Sequence, residues 1–230
     1  MASFNSNTTV PGQMTDLQEI YSRLFDSFGP QNWWPADTPF EVMIGAILTQ
    51  QTTWKNVEIA IQNLKDKDLL NVASLNEIPN DELEPEIRKS GFYRQKSKAI
   101  KNLVGFLMEE YHGELDRMFE EDGEELRKKL LSVKGIGHET ADSILLYACI
   151  KPFFVVDAYT RRALKRLELA DTNDYEQIRD FFENSLPKDT TLYNEFHALW
   201  VELGKRHCKT KPLCNECPLN DMCPYPSKTE

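Results

Sequence analysis

The 230-residue chain predicts an all-α fold. Three observations carry that expectation. Apolar residues recur at helical spacing through nearly every stretch, as in Leu17, Ile20, Tyr21, Leu24, Phe25 and Phe28. No run alternates apolar and polar residues for long enough to make a strand; Phe153–Val156 is too short and lacks a partner. A Gly-Ile-Gly turn, Gly135-Ile136-Gly137, joins two apolar helical stretches where side-chained residues would resist the bend.

Taken in order, residues 1–13 are rich in Asn, Ser and Thr and predict a flexible arm. A helix should begin at Thr15 and stop at Gly29-Pro30. Asn32-Trp33-Trp34-Pro35 reads as an exposed loop carrying two of the four tryptophans. Phe40–Gln51 is apolar nearly all round, as a buried helix is, whereas Trp54–Leu64 is amphipathic. Short helical pieces cross 68–90, with breaks at Pro79 and Pro85. Gly91-Phe92-Tyr93 turns into a helix over Gln95–Tyr111. Glu124–Leu131 and Glu139–Ile150 flank the Gly-Ile-Gly turn, and further helices follow at about 158–168, 174–186 and 190–206.

Hydrophobic content of 40% and charged content of 28% mark an ordinary soluble chain. No apolar run approaches the roughly 20 residues of a membrane span, and the polar start lacks a signal-peptide layout. A monomer in the cytoplasm, free to associate with the nucleoid and not with a membrane, is expected. The net charge of −10 taken alone argues against a nucleic-acid partner, because affinity for DNA is dominated by phosphate neutralisation. The basic residues are clustered, however: Arg94, Lys96, Lys98 and Lys101; Arg127, Lys128, Lys129 and Lys134; Arg161, Arg162, Lys165 and Arg166; Lys205, Arg206, Lys209 and Lys211. The acidic excess lies elsewhere, in Asn80–Glu86 and Glu109–Glu125, so a basic face on an acidic body is predicted.

Three local patterns carry chemistry. Glycines 135 and 137 leave backbone N–H groups bare at a helix start, beside Lys134, while Ile136 plugs between the helices; a DNA phosphate fits such a site. Val155-Val156-Asp157 puts one carboxylate behind two β-branched residues, where on the residues alone it reads as a helix N-cap. Cys208-x5-Cys214-x2-Cys217-x5-Cys223 gathers four of the five cysteines, which argues for a metal site, iron–sulfur or zinc, rather than disulfides. Cys149 lies in an apolar helix and reads as inert core.

In that order, from about Leu17 to Tyr225, these motifs resemble the helix-hairpin-helix DNA glycosylase superfamily that includes endonuclease III. The resemblance implies two all-α lobes. A six-helix lobe would span 37–150, with the hairpin at about 124–150. The second would join 14–36 to 151–230 and carry the cysteine loop at 208–223. It implies a [4Fe–4S] cluster on Cys208, Cys214, Cys217 and Cys223, although the family loop has six residues in its first gap and this one five. It further implies a monovalent cation at the hairpin and double-stranded DNA with a damaged base as partner. Asp157 takes the catalytic place, and Lys134, Gly135, Ile136 and Gly137 hold DNA. Leu48–Thr52 resembles the segment whose glutamine fills the gap left by a flipped nucleotide, which maps to Gln51. Ser90–Tyr93 resembles the loop with a second wedge, Phe92. Wedges are needed because a base inside a duplex is unreachable and its extrusion leaves an unstacked hole.

One departure sets the expected activity. Bifunctional members carry a lysine two residues after the second hairpin glycine, and Glu139 stands there in this chain. A carboxylate cannot form the Schiff base that precedes strand cleavage. The Trp-Trp-Pro run, with Gly-Ile-Gly-x-Glu and Val-Val-Asp, is similar to the 3-methyladenine DNA glycosylases of endonuclease III type. That likeness implies a base pocket from Trp33, Trp34, Pro35 and Glu139, although those members lack the four-cysteine loop. The expectation is a monofunctional glycosylase of base excision repair acting on alkylated purines such as 3-methyladenine. Two other readings are a bifunctional glycosylase and lyase for oxidised pyrimidines, and a non-catalytic DNA-binding iron–sulfur protein.

Overall fold

The computed structural model describes residues 13–225, so the arm expected over 1–13 lies, through residue 12, outside the described residues. The described residues form an all-α chain with no strand. It divides into two compact units, one spanning Trp34–Lys151 and one joining the chain up to Trp33 with the chain from Pro152.

The continuous unit contains α2 (Pro39–Leu48), α3 (Trp54–Asp66), α4 (Val72–Glu77), α5 (Asn80–Glu86), α6 (Tyr93–Tyr111), α7 (Leu115–Glu120), α8 (Gly123–Ser132) and α9 (His138–Ser143). Its centre is α2, in which Phe40 through Leu48 are all buried. Thr38 starts that helix by accepting the Glu41 N–H, with Pro39 supplying a preset φ. Packed against α2 are α3, α6 and the second helix of the hairpin. Burying side chains of the size of Met43, Ile44, Ile47 and Leu48 stabilises the unit by roughly 1.5–3 kcal/mol each.

The hairpin's second helix is shorter than the apolar run predicted. It is α-helical over His138–Ser143, then widens to a π-helix over Ile144–Ala148. Cys149 donates to Ile144 O at 3.0 Å, and Ile150 beyond it is left-handed at φ 52°. All five residues of the wide turn are buried, so tertiary packing rather than helix propensity decides its shape.

The discontinuous unit holds α1 (Gln13–Phe28), α10 (Ala158–Leu167), α11 (Tyr175–Ser185) and α12 (Thr190–Arg206), with α12 packed on α1 and α10. Its core is aromatic: Phe154 stacks on Phe182 at 3.8 Å, and Phe196 on Trp200 at 5.3 Å. The buried segment Phe153–Val156 stays extended without a ladder. Its amides go to side chains instead, Phe154 N–H to Glu183 Oε1 at 2.9 Å and Val156 N–H to the Tyr175 hydroxyl at 3.3 Å. That anchoring sets where Asp157 enters α10.

Candidate active site

The hairpin turn is braced from three sides. Gly135 has φ +101°, and a Cβ there would meet Ala99 Cβ of α6 at 2.6 Å, so only glycine fits. Asn102 donates to Lys134 O at 2.8 Å, and Gln50 donates to Gly135 O at 3.3 Å and to Thr140 Oγ1 at 3.0 Å. Ile136 is buried, as a plug should be, while Lys134, Gly135 and Gly137 are exposed. The N–H groups of Gly135 and Gly137 have no acceptor among the described residues. A buried bidentate pair ties α8 to α9, with Arg127 donating to the two Asp142 oxygens at 2.6 and 3.0 Å.

Gln51 and Phe92 both stand on exposed loops with left-handed backbone, φ 52° and 45°. Such backbone is uncommon outside glycine and concentrates at functional positions. Phe92 is 57% exposed. Gln50, one residue before Gln51, is spent on the hairpin contacts above.

Asp157 is buried at the N-cap of α10, where Oδ1 accepts the Thr160 N–H at 2.7 Å. Its other oxygen lies 4.0 Å from Nε2 of His197 on α12. His197 is itself buried and faces the Trp33 ring at 5.6 Å, and Lys205 Nζ sits 5.5 Å over that same ring. Burial holds the His197 pKa below its ordinary value; Lys205 acts in the same direction and Asp157 against it. Asp157, His197, Trp33 and Lys205 thus form one cluster within the discontinuous unit.

The predicted base-pocket residues do not share one set of contacts. Trp34 is half-buried rather than exposed and belongs to the continuous unit, where it contacts Trp54 at 5.4 Å and Tyr147 at 5.3 Å. Gly45 makes room for it, since a Cβ there would come within 3.4 Å of the indole. Trp34, Pro35 and Trp54 line a cavity of about 240 Å³ that also presents Glu41 and Glu58. Trp54 donates to Glu58 Oε1 at 3.0 Å. Glu139 is exposed on the first turn of α9 and does not line that cavity. The sequence marked Trp54 only as the first residue of an amphipathic helix, and nothing in it distinguished a cavity-facing role.

The four loop cysteines are half-buried free thiols. Burial pushes the Cys217 thiol up to about 11, and the charges of Cys208, Cys214 and Cys223 add to the rise. No group of three or more His, Cys, Asp or Glu among the described residues is arranged to hold a metal ion. Arg166 of α10 docks the loop by donating to Cys208 Sγ at 3.2 Å and Lys209 O at 2.7 Å, and Arg162 by donating to Cys208 O at 2.7 Å. The donor set alone, four free thiols in one loop, has the chemistry of a thiolate-bound cluster. Cys149 is buried with its thiol pushed up to about 12, as an inert core cysteine should be.

The predicted basic face is thinner than the charge clusters suggested. Lys96 is buried, Arg127 is bound to Asp142, Lys129 to Glu110 and Glu121, and Arg162 and Arg166 hold the cysteine loop. Arg94, Lys98, Lys128, Lys134, Lys165, Lys205, Arg206, Lys209 and Lys211 remain exposed, Arg94, Lys128 and Arg206 among them next to a glutamate. Among the described residues no helix is long and apolar enough to cross a membrane.

Residues 44–188 match the family described as HhH-GPD superfamily base excision DNA repair protein. The chain is 48% identical over 210 residues to "Putative DNA repair glycosylase MJ1434" of Methanocaldococcus jannaschii, covering 90% of this chain and 95% of that protein. The solved H. pylori 3-methyladenine DNA glycosylase MagIII, bound to 1,N6-ethenoadenine, is similar with a TM-score of 0.72 and 31% identity, over 84% of this chain and 97% of its own. A non-covalent endonuclease III–DNA complex is similar with a TM-score of 0.81 and 26% identity, over 94% of this chain and 97% of its own. With the braced Gly-Ile-Gly hairpin and the all-α architecture, these matches settle the family: the chain belongs to the HhH-GPD superfamily of base excision DNA repair proteins, among its endonuclease III-like DNA glycosylases.

Proposed function

We propose that this glycosylase is monofunctional, that it extrudes an alkylated purine such as 3-methyladenine from duplex DNA, and that it hydrolyses the N-glycosidic bond. Two features carry the reading: Asp157 is a buried carboxylate, and Glu139 stands at the sequence position where bifunctional members have an amine. The likeness to MagIII, a 3-methyladenine DNA glycosylase by its description, supports the substrate class.

In this reading Gly135, Gly137 and Lys134 hold the phosphate backbone near the lesion, with Ile136 keeping the turn rigid. Gln51 fills the space the extruded nucleotide leaves, and Phe92 wedges the opposite stack. In this reading the base meets aromatic faces: Trp33, Trp34 and Pro35 are carried over from the likeness, and Trp54 joins them because it lines one cavity with Trp34 and Pro35. A cationic base gains about 1–2 kcal/mol from desolvated aromatic faces. The bond from the sugar C1′ to the base nitrogen then breaks with its electron pair leaving on the base, which departs neutral. Asp157 stabilises the cationic sugar and accepts the proton of the water that attacks C1′. Glu139, a carboxylate, forms no imine and has no part in bond-making.

Cys208, Cys214, Cys217 and Cys223 would hold a [4Fe–4S] cluster, which when bound cross-links the C-terminal loop. The damaged duplex is bound by one copy of the chain, working in the cytoplasm at the nucleoid. A second reading, an endonuclease III-like enzyme for oxidised pyrimidines, draws on the four-cysteine loop and on the fold likeness to the endonuclease III complex. A base-release assay on duplexes carrying 3-methyladenine, thymine glycol or uracil separates the two. Release of 3-methyladenine in preference to thymine glycol is expected; the reverse order would replace the alkylpurine reading with the second one.

A further inference from the structure

Lys96, near the start of α6, is 2% exposed, and its ammonium lies between two carbonyls. It donates to Leu48 O at 2.8 Å and to Ser90 O at 2.6 Å. Leu48 is the last residue of α2, and Ser90 closes the short 3₁₀ turn Arg88–Ser90. The backbone N–H of Lys96 also donates to Phe92 O at 3.0 Å. Gln51 follows the first carbonyl by three residues and Phe92 the second by two. Both hold positive φ, a conformation that persists only where the surroundings over-determine it.

The arrangement differs from the other lysines that cap carbonyls. Lys101 donates to Leu75 O and Asn76 O, and Lys151 to Phe119 O and Glu121 O, so each serves a single stretch of chain. Lys96 alone of the three joins elements 42 positions apart in sequence, Leu48 and Ser90. Desolvating an ammonium without a carboxylate partner is unfavourable, and none lies within ion-pair distance of Lys96 among the described residues. Filling the space would take only an apolar side chain. The charge-assisted donors are what tie the two loop roots together.

We propose that Lys96 is a positioning residue that couples the two loops, so that Gln51 and Phe92 enter the duplex as one two-pronged wedge. The inference rests on the reading above, in which both side chains enter DNA. Lys96 itself lies beneath the loops and touches no base.

The test is a mutant cycle read by unstacking. The probe is a duplex with 2-aminopurine beside a tetrahydrofuran abasic site, whose fluorescence rises when the base is unstacked. Gln51→Ala and Phe92→Ala should each lower the binding-induced rise, and the double variant should lose at least fivefold less than the product of the two single losses. In a Lys96→Met background that coupling should fall to within twofold of none, with the helical circular dichroism retained. If Lys96→Met does not fold, Lys96→Arg, which keeps the charge but displaces the donors, carries the same cycle and should cut the coupling. Multiplicative effects of the two loop substitutions in the native chain would overturn the proposal, as would coupling that survives the Lys96 variant unchanged. Single substitutions that leave the fluorescence untouched would instead overturn the wedge reading itself.

Discussion

The two oxygens of Asp157 have separate surroundings: Oδ1 accepts the Thr160 N–H at 2.7 Å, and Oδ2 lies 4.0 Å from His197 Nε2. The first contact is a helix cap, which an amide oxygen can also supply. The second faces the buried imidazole and the Trp33 ring beyond it. Structure and chemistry can therefore be separated by substitution.

Asp157→Asn should keep the α10 cap and bind lesion DNA about as well as the native chain. Removing a negative charge that acts on a cationic transition state should slow base release by on the order of 3–4 kcal/mol, a few hundredfold or more. Asp157→Ala should lose the same activity and, in addition, roughly 1 kcal/mol of stability with the cap. Single-turnover base release beside thermal unfolding distinguishes them; an asparagine variant of native rate would remove Asp157 from the chemistry.

His197 sets a pH dependence whose sign follows from its burial. Its folded pKa is depressed, so between that value and the unfolded value of about 6.5 the unfolded chain binds more protons. Stability should hold above about pH 6.5 and decline as the pH falls through that value toward the folded pKa. His197→Asn should flatten that part of the profile, whatever its effect at neutral pH. Urea unfolding from pH 5 to 8 on both proteins gives the comparison, and parallel profiles would show that His197 carries none of the acid sensitivity.

Much of the hairpin and of the Asp157 segment was legible because each is written in adjacent residues. Gly-x-Gly demands a special backbone, and an Asp after a buried run starts a helix. His197 was not legible, because its meaning comes from a contact 40 positions away, Asp157 to His197, and one histidine on an apolar helix face reads as core. The basic face was over-read for a related reason. A charge count cannot tell a solvated lysine from one that caps carbonyls, as Lys96 and Lys101 do, or an exposed arginine from one bound inside, as Arg127 is. The π-helical stretch at Ile144–Ala148 has no local signature and comes from packing alone.

The two hairpin glycines should respond differently to alanine. At Gly135 both the φ of +101° and the approach of Ala99 oppose a side chain, so Gly135→Ala should destabilise by about 2–4 kcal/mol. Gly137 has φ −97° and open space where a Cβ would go, so Gly137→Ala should leave stability within about 1 kcal/mol of native. Chemical denaturation of the two variants measures both. Equal losses would mean that the Ala99 contact is not what reserves position 135.

The cysteine loop should make the purified protein straw-brown, with broad absorbance near ~400 nm and about four irons per chain. Cys217→Ser should bleach it and loosen the loop that Arg162 and Arg166 hold, because ligand binding here is also folding energy. One zinc and no iron by metal analysis would refute the cluster and leave the remaining assignments standing.

The last prediction concerns the lesion and the missing amine together. With Glu139 where an imine-forming lysine would stand, strand nicking should require added alkali or heat, and borohydride should trap little covalent complex. Efficient trapping would reveal a bifunctional enzyme using another amine. The aromatic pocket makes a separable claim about the base. Trp34 and Trp54 meet edge to face at 5.4 Å, so each holds the other's orientation at the cavity wall. Trp34→Ala or Trp54→Ala should weaken the handling of cationic alkylpurines by about 1–2 kcal/mol, a loss of roughly five- to thirtyfold in kcat/KM. Uncharged substrates such as uracil lack the cation–π contribution and should lose less. Equal losses for charged and uncharged bases would reduce the tryptophans to packing, and the preference for alkylated purines would then have to come from elsewhere in the site.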